Sequence, residues 1–334
     1  MKNFRFFLKN LATIDACFAV CVVLSGCGDD DDGSIDTGTV VYVAGCVEDD
    51  AVLWKNGVAQ KLTSGGDDAY ANSVFVLGKD VYVAGSEGGN AVLWKNGVAQ
   101  LLPDGGVANS VFASGSDVYA AGHEGFDAKF WKNGVAQTLA DDKNQDEWAS
   151  SVFVSGGNVY VAGVTTTSGG SFAILWKDGV AQKLTDGTDY ADAISVFVSG
   201  NDVYVAGYEG DFAVVWKNGD AQNLTNGANE ALALSVYVSG NDTYVAGYEY
   251  NAQDVPVAVL WTNGIAQKLT NGTKEAYATS VFVSGDDVYV AGFEEWEEND
   301  EYYSVAKLWK NGVVQNLTDG TDYAEANSVF VVER

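Results

Sequence analysis

The chain has 334 residues, a formal net charge of −28, two prolines and 39 glycines. That charge excludes a nucleic-acid footprint, which needs clustered Lys and Arg. With 47% apolar and 12% aromatic residues, a large core can be buried, and the glycines point to tight turns rather than a disordered linker.

The first segment, residues 1–26, reads as a secretory signal. Lys2, Arg5 and Lys9 form a positive start, and an apolar run follows from Ala16 to Leu24, with Asp15 at its edge. The run is far shorter than the ~20 residues of a membrane span. "LSGC" at 24–27 then resembles a lipobox, in which Cys27 takes the lipid and becomes the new N-terminus. The alternative is an ordinary signal with a chance cysteine. Residues 27–38 form a tether that includes "GDDDDG". Asp29 to Asp32 are either a solvated spacer or a tract that directs a lipidated protein to the cell surface. Cys17 and Cys21 fall in the signal, so Cys46 is the one cysteine left in the body and no internal disulfide is expected.

From residue 39 to 334 the chain is repetitive. "AVLWKNGVAQ" stands at 51–60 and again at 91–100, inside a unit marked by Trp54, Trp94, Trp131, Trp176, Trp216, Trp261 and Trp309. "VYVAG" or a variant starts at 41, 81, 118, 159, 203, 243 and 288, and "SVFV" or a variant at 73, 110, 151, 195, 235, 280 and 328. Such spacings belong to propeller repeats. Each unit holds four runs rich in Val, Tyr, Phe and Trp, here named strands A to D. Asn-Gly, or Asp178-Gly179 in the fourth unit, joins C to D as a tight hairpin turn. The sequence therefore predicts an all-β, seven-bladed β-propeller with four-stranded blades. The body starts on a strand B at Val40 and ends on a lone strand A at 328–332. Pairing the C-terminal strand with the N-terminal three removes both open edges and closes the ring.

The tryptophans and the strand A aromatics Phe75, Phe112, Phe153, Phe197, Tyr237, Phe282 and Phe330 read as packing between blades. The "NLT" and "NGT" triplets match a glycosylation pattern but also recur with the turn itself.

Two ends of the ring should differ. The A–B and C–D turns share one end, called the bottom, and keep nearly constant lengths. The B–C loops at the top vary, with insertions in blades four, six and seven, as at the binding face of a repeat protein. Acids gather at the top against Lys143 and Lys274, while the bottom turns carry Lys55, Lys79, Lys95, Lys132, Lys177, Lys217 and Lys310. The acidic end would attract cations and basic partners, or simply confer solubility.

Two groups of top residues are candidate ligand contacts. Glu87, Glu124, Glu209, Glu249 and Glu294 stand two residues past the VAG glycine, preceded in four blades by His123, Tyr208, Tyr248 and Phe293. Carboxylates beside rings suit a sugar, or Ca²⁺ through oxygen ligands. Equally, duplication of the unit accounts for their recurrence without any ligand. The seventh loop, "FEEWEENDEYYSVAK", breaks the repeat, and Trp296, Tyr302 and Tyr303 in it are expected to be exposed contacts for a partner. No catalytic constellation is visible: His123 has no recognisable nucleophile partner, and metal-ligand spacings, phosphate loops and nucleophile elbows are missing. A carboxylate pair of glycosidase type on the top face stays open as an alternative.

Taken together, lipobox, acidic tract and repeats "VYVAG…LWKNGVAQ.LT" resemble the seven-bladed propeller lipoproteins of Bacteroidetes-type bacteria. The resemblance implies a monomer anchored to the outer membrane by its N-terminal lipid and exposed at the cell surface. It implies a non-catalytic role with a glycan or protein ligand on the top face, or a structural role without a dedicated ligand. It supplies no family active site.

Overall fold

The computed structural model describes residues 38–66, 68–139, 146–299 and 301–333. The signal, Cys27, nearly all of the tether and Lys143 lie outside them. The described chain forms seven antiparallel sheets of four strands each. Blade one closes the ring: strand A (Ala324–Val332) pairs with strand B (Val40–Val47), followed by C (Asp50–Lys55) and D (Val58–Lys61). The predicted fold and closure are both present.

Each repeated motif has a mechanical reason. At the C–D turn, Asn56, Asn96, Asn133, Asp178, Asn218, Asn263 and Asn311 adopt φ of 51–54°, which Asn and Asp tolerate better than other side chains. Each also accepts, at 2.8–2.9 Å, the N–H of the first VYVAG residue in its own blade. The "LT" after strand D returns to strand C. The leucine N–H donates to an alanine carbonyl in all seven blades. In five blades the threonine hydroxyl accepts that alanine's N–H. The glycosylation-like "NLT" triplets are thus accounted for by strand geometry.

The VAG glycine answers to strand A, which carries a one-residue bulge in every blade, for example at Asn72 between Ala71 and Ser73. The bulge turns a strand A carbonyl over the glycine Cα. A methyl placed on any of the seven glycines would stand only 1.8–2.0 Å from that oxygen. No other residue fits without moving backbone.

The blades are held to one another by three rings. Ser73, Ser110, Ser151, Ser195, Ser235, Ser280 and Ser328 each accept the strand A N–H of the next blade at 3.1–3.2 Å. Below them, Phe75, Phe112, Phe153, Phe197, Tyr237, Phe282 and Phe330 form a closed circle with centroids 4.6–4.9 Å apart. Further out, the seven strand C tryptophans are at most 1% exposed, each in a core shared with the preceding blade. The packing role read from the sequence is the observed one.

Candidate functional site

At the bottom, the lysines are largely spoken for. Lys95, Lys132, Lys217 and Lys310 pair at 2.6–2.9 Å with Asp80, Asp117, Asp202 and Asp287 of the adjacent A–B turns. The same lysines lie 5.1–5.3 Å from the tyrosine ring of their own VYVAG. Four of the seven bottom lysines are thus neutralised by an acid of the adjacent turn, while Lys55 and Lys177 lie over the tyrosine rings of their own blades. A groove of about 660 Å³ opens there between blades one and two, where the chain enters at Val40.

The top is built differently. Loops B–C and D–A meet there through backbone bonds such as Glu147 N–H to Phe126, Gly210 N–H to Tyr190 and Tyr250 N–H to Glu230. The inserted segments are strands more than loops. The seventh is a hairpin in which strand B (Asp287–Glu298) and strand C (Glu301–Lys310) continue upward, pairing Trp296 with Tyr303 and Glu297 with Tyr302. The fourth continues likewise to a turn at Ser168-Gly169. The sixth is a loop closed by the Asn251 side chain, which accepts the N–H groups of Gln253 and Val255.

Of the three aromatics expected to be exposed on the seventh segment, Tyr302 is, at 61%. Trp296 is a correction: it is half-buried, stacked on Tyr303 at 5.8 Å, with Lys274 Nζ 3.1 Å from its ring centroid. A large ring on a hairpin arm gains by covering itself with a lysine stem and a neighbouring ring. Tyr303 is also half-buried, and its hydroxyl donates to Glu301 at 2.6 Å.

The paired Glu and aromatic positions do not form one surface. Successive strand residues face opposite sides of a sheet, so Glu87, Glu124, Glu209, Glu249 and Glu294 look away from Ser86, His123, Tyr208, Tyr248 and Phe293. Glu294 is tied to Lys307 at 2.6 Å, and Glu124 approaches Lys129 at 3.6 Å. Among the described residues no group of three His, Cys, Asp or Glu side chains is placed to hold a metal ion.

The aromatic members instead join a set that sequence reading missed. Opposite these positions in register, three residues before each strand A serine, stand Tyr70, Val107, Trp148, Asp192, Leu232, Tyr277 and Glu325. The two sets alternate around the mouth of the central channel. Tyr277 packs on Phe293 of its own blade and on Tyr248 of the preceding one, both at 5.0 Å. Trp148 likewise meets His123 of the preceding blade at 6.5 Å. The sector from blade five to blade one is rich in tyrosine and carboxylate, blade two adds Tyr70 and Ser86, and blades three and four contribute Val107, His123, Trp148 and Val164.

Electrostatics single out that sector. Burial, with Glu275 and Glu325 nearby, pushes the Glu295 carboxyl up to about 7. Burial also raises Glu325, although the Tyr323 hydroxyl donates to it. The tyrosines Tyr208, Tyr248, Tyr250 and Tyr277 are all raised by burial and by the acids around them. Cys46, a free and fully buried thiol, is raised by burial and by Glu325. Burial lowers His123.

Asp192 is the most isolated acid. Its Oδ1 is closed off from solvent without a hydrogen-bond partner. Burial pushes it to about 7, offset in part by the Ala193 N–H. A carboxyl protonated in the fold but ionised in the unfolded chain opposes folding increasingly as pH rises from about 4 to about 7, and by a constant amount above. Asp192→Asn is therefore expected to be more stable than the wild type at pH 8, on the order of 4 kcal/mol, and equal to it below pH 4. Denaturant titrations across that range check both the size and the window.

Comparison with protein-family models gives no match, and a search of curated proteins finds none.

Proposed function

We propose that this chain is a lipid-anchored, surface-exposed bacterial propeller that binds a glycan or protein ligand at its top mouth without catalysing a reaction. The observation that carries this reading is the mouth itself: the half-buried Tyr208, Tyr250 and Tyr277, backed by the buried rings of Tyr248 and Phe293, form one arc with Glu230, Glu275 and Glu295. Aromatic walls with a few convergent polar groups are how concave sites hold ligands. Cys27 would carry the lipid. Strand B of blade one starts at the bottom, so a tether of residues 28–38, at most ~36 Å long, leaves the top facing away from the membrane.

The test is a binding screen of residues 33–334, which contain the whole closed ring, against glycans and host or matrix proteins with and without Ca²⁺. Alongside runs a variant whose seventh hairpin is cut to the eight-residue spacing of blade two. A ligand bound by the first and lost by the second supports the reading. Loss of nothing on shortening moves the contact elsewhere on the ring, and silence from both favours a structural surface protein.

A second reading has one observation behind it. Glu295, protonated near neutrality beside Glu275 and Glu325, resembles the acid of a carboxylate pair. It requires turnover of a glycoside that disappears in Glu295→Gln.

A further inference from the structure

The groove at the bottom is where the repeat departs from itself. It lies between blades one and two and is lined by Tyr42, Leu53, Val81 and Val332, with the exposed Lys55 and Lys79 beside them. Four residues around it break the pattern of the other blades. The residue before VYVAG is Asp or Asn in six blades and Val40 in blade one. The residue after SVFV, or its variant, is serine in five blades, but Leu77 and Val332 in the two that flank the groove. The A–B turn of blade two carries Lys79 where the others have Ser116, Gly157, Asn201, Asn241 or Asp286. Each change makes the groove more apolar or more cationic, so duplication of the unit does not account for them.

The two lysines lack acidic partners. In blades two, three, five and seven the Asp before VYVAG pairs with the lysine that ends strand C. Val40 cannot, and among the described residues no carboxylate pairs with Lys55 or Lys79. Glu333, the acid in the lining, accepts the Ser284 hydroxyl of blade seven instead. Exposed aliphatic side chains border the same groove. Val58, paired in register with Lys55, and Val98, next to Gly97 of the lining, are each 72% exposed, and Leu77 is exposed beside Gly78. Across the ring the charge balance reverses: the bottom turns of blades five to seven carry Asp202, Asp220, Asp242, Asp286 and Asp287 against Lys217 and Lys310.

Exposed aliphatic side chains interleaved with unpaired lysines compose a surface that settles into the headgroup layer of a bilayer, aliphatics toward the acyl chains and ammonium groups on the phosphates. A free anion would use the lysines and leave Val58, Val98 and Leu77 in water. Building on the lipid-anchored reading, which brings a membrane within tether reach of Val40, we infer that this groove seats the phosphate headgroup of an anionic membrane lipid. Lys55 and Lys79 hold the phosphate, and Val58, Val98 and Leu77 enter the interface. The anchor then fixes where the ring is held and the groove fixes its tilt, with blades one and two against the bilayer and the acidic turns of blades five to seven away from it.

The test is flotation of residues 33–334, free of lipid, at about 150 mM salt with vesicles of phosphatidylcholine alone or with about one third phosphatidylglycerol. The ring should partition onto the anionic vesicles at least tenfold more than onto the neutral ones. Lys55→Gln with Lys79→Gln should lower that partition at least tenfold, since each basic residue near an anionic surface contributes about fivefold. Leu77→Ser, which restores the residue of five other blades, should lower it about twofold or more. Lys183→Gln with Lys268→Gln, which removes the same charge from strands D of blades four and six, should leave it within twofold. Equal partition onto both vesicles, an unchanged groove variant, or an equal loss in the Lys183 and Lys268 variant overturns the inference. Glycerol phosphate bound as tightly as the vesicles overturns the membrane assignment in favour of a free phosphoester. An oligoaspartate peptide bound at the groove in place of vesicles overturns it in favour of an acidic polypeptide. The lipid-anchored reading is judged separately, by palmitate labelling of the full chain that Cys27→Ala abolishes, and it stands or falls without the groove.

Discussion

A chain ended after Tyr323 is expected to lose the cooperative unfolding transition of the full ring. The cut removes strand A of blade one, Ala324–Val332, and with it four separate supports. Strand B at Val40–Val47 loses its ladder partner along its whole length. The serine ring breaks twice, at Ser328 to Val74 and at Ser280 to Val329. The aromatic circle loses Phe330, which touches both Phe75 and Phe282. Val329 and Val331 leave the core between blades seven and one, each worth about 1.5–3 kcal/mol of burial. These losses together approach the whole stability of an ordinary domain, about 5–15 kcal/mol. Adding residues 323–334 as a separate peptide should restore the transition. A truncated chain that melts within a few degrees of the full one would show that the closing strand is dispensable.

Trp216→Ala should cost about 3–5 kcal/mol, the usual range for deleting a fully buried large ring. Trp216 is 0% exposed and fills the seam between blades four and five with Tyr160, Leu175, Val196 and Val205. The ring also lies over the VAG glycine of its own blade: a methyl on Gly207 would stand 3.1 Å from Trp216 Cζ3 and 1.9 Å from the Asp192 carbonyl. The site is bounded by backbone on that side and cannot collapse into the space, which places the loss toward the upper end. Chemical denaturation compares the two proteins directly. A loss below about 1 kcal/mol would mean that the seam relaxes around the cavity and that this tryptophan is not its main support.

The architecture was legible because every copy of the repeat carries the same punctuation. Asn-Gly marks the C–D turn, SVFV marks strand A, and the unmatched ends at Val40 and 328–332 announce the closure. What escaped was the bulge. Without knowing that strand A slips one residue between Ala193 and Ser195, the facing of residues above the slip cannot be assigned, and Asp192 reads as one more acid in an acidic chain. Its signal was still present. Three residues before each SVFV-type serine stands Tyr70, Val107, Trp148, Asp192, Leu232, Tyr277 or Glu325, a variable position set against nearly constant alanines. Variation in a place where the repeat is otherwise uniform is what a shared mouth should produce. The Glu positions past the VAG glycine misled for the opposite reason: they repeat well, but strand alternation turns them away from the mouth. Trp296 looked exposed because its cover, Lys274 and Tyr303, comes from an adjacent loop and from a hairpin pairing that spacing alone does not reveal.

The most direct test of the account separates the two ends of the ring on one captured ligand. Tyr248→Ala with Tyr277→Ala removes the crossed rings of the mouth. Lys55→Ala with Lys177→Ala alters the bottom, where each lysine lies over a tyrosine at 5.4–5.7 Å. For any ligand found in the screen, the mouth variant should bind at least tenfold more weakly, and the bottom variant should bind as the wild type does. Binding lost in the bottom variant and kept in the mouth variant would place the working face at the wrong end of the ring, and the functional reading would fall with it.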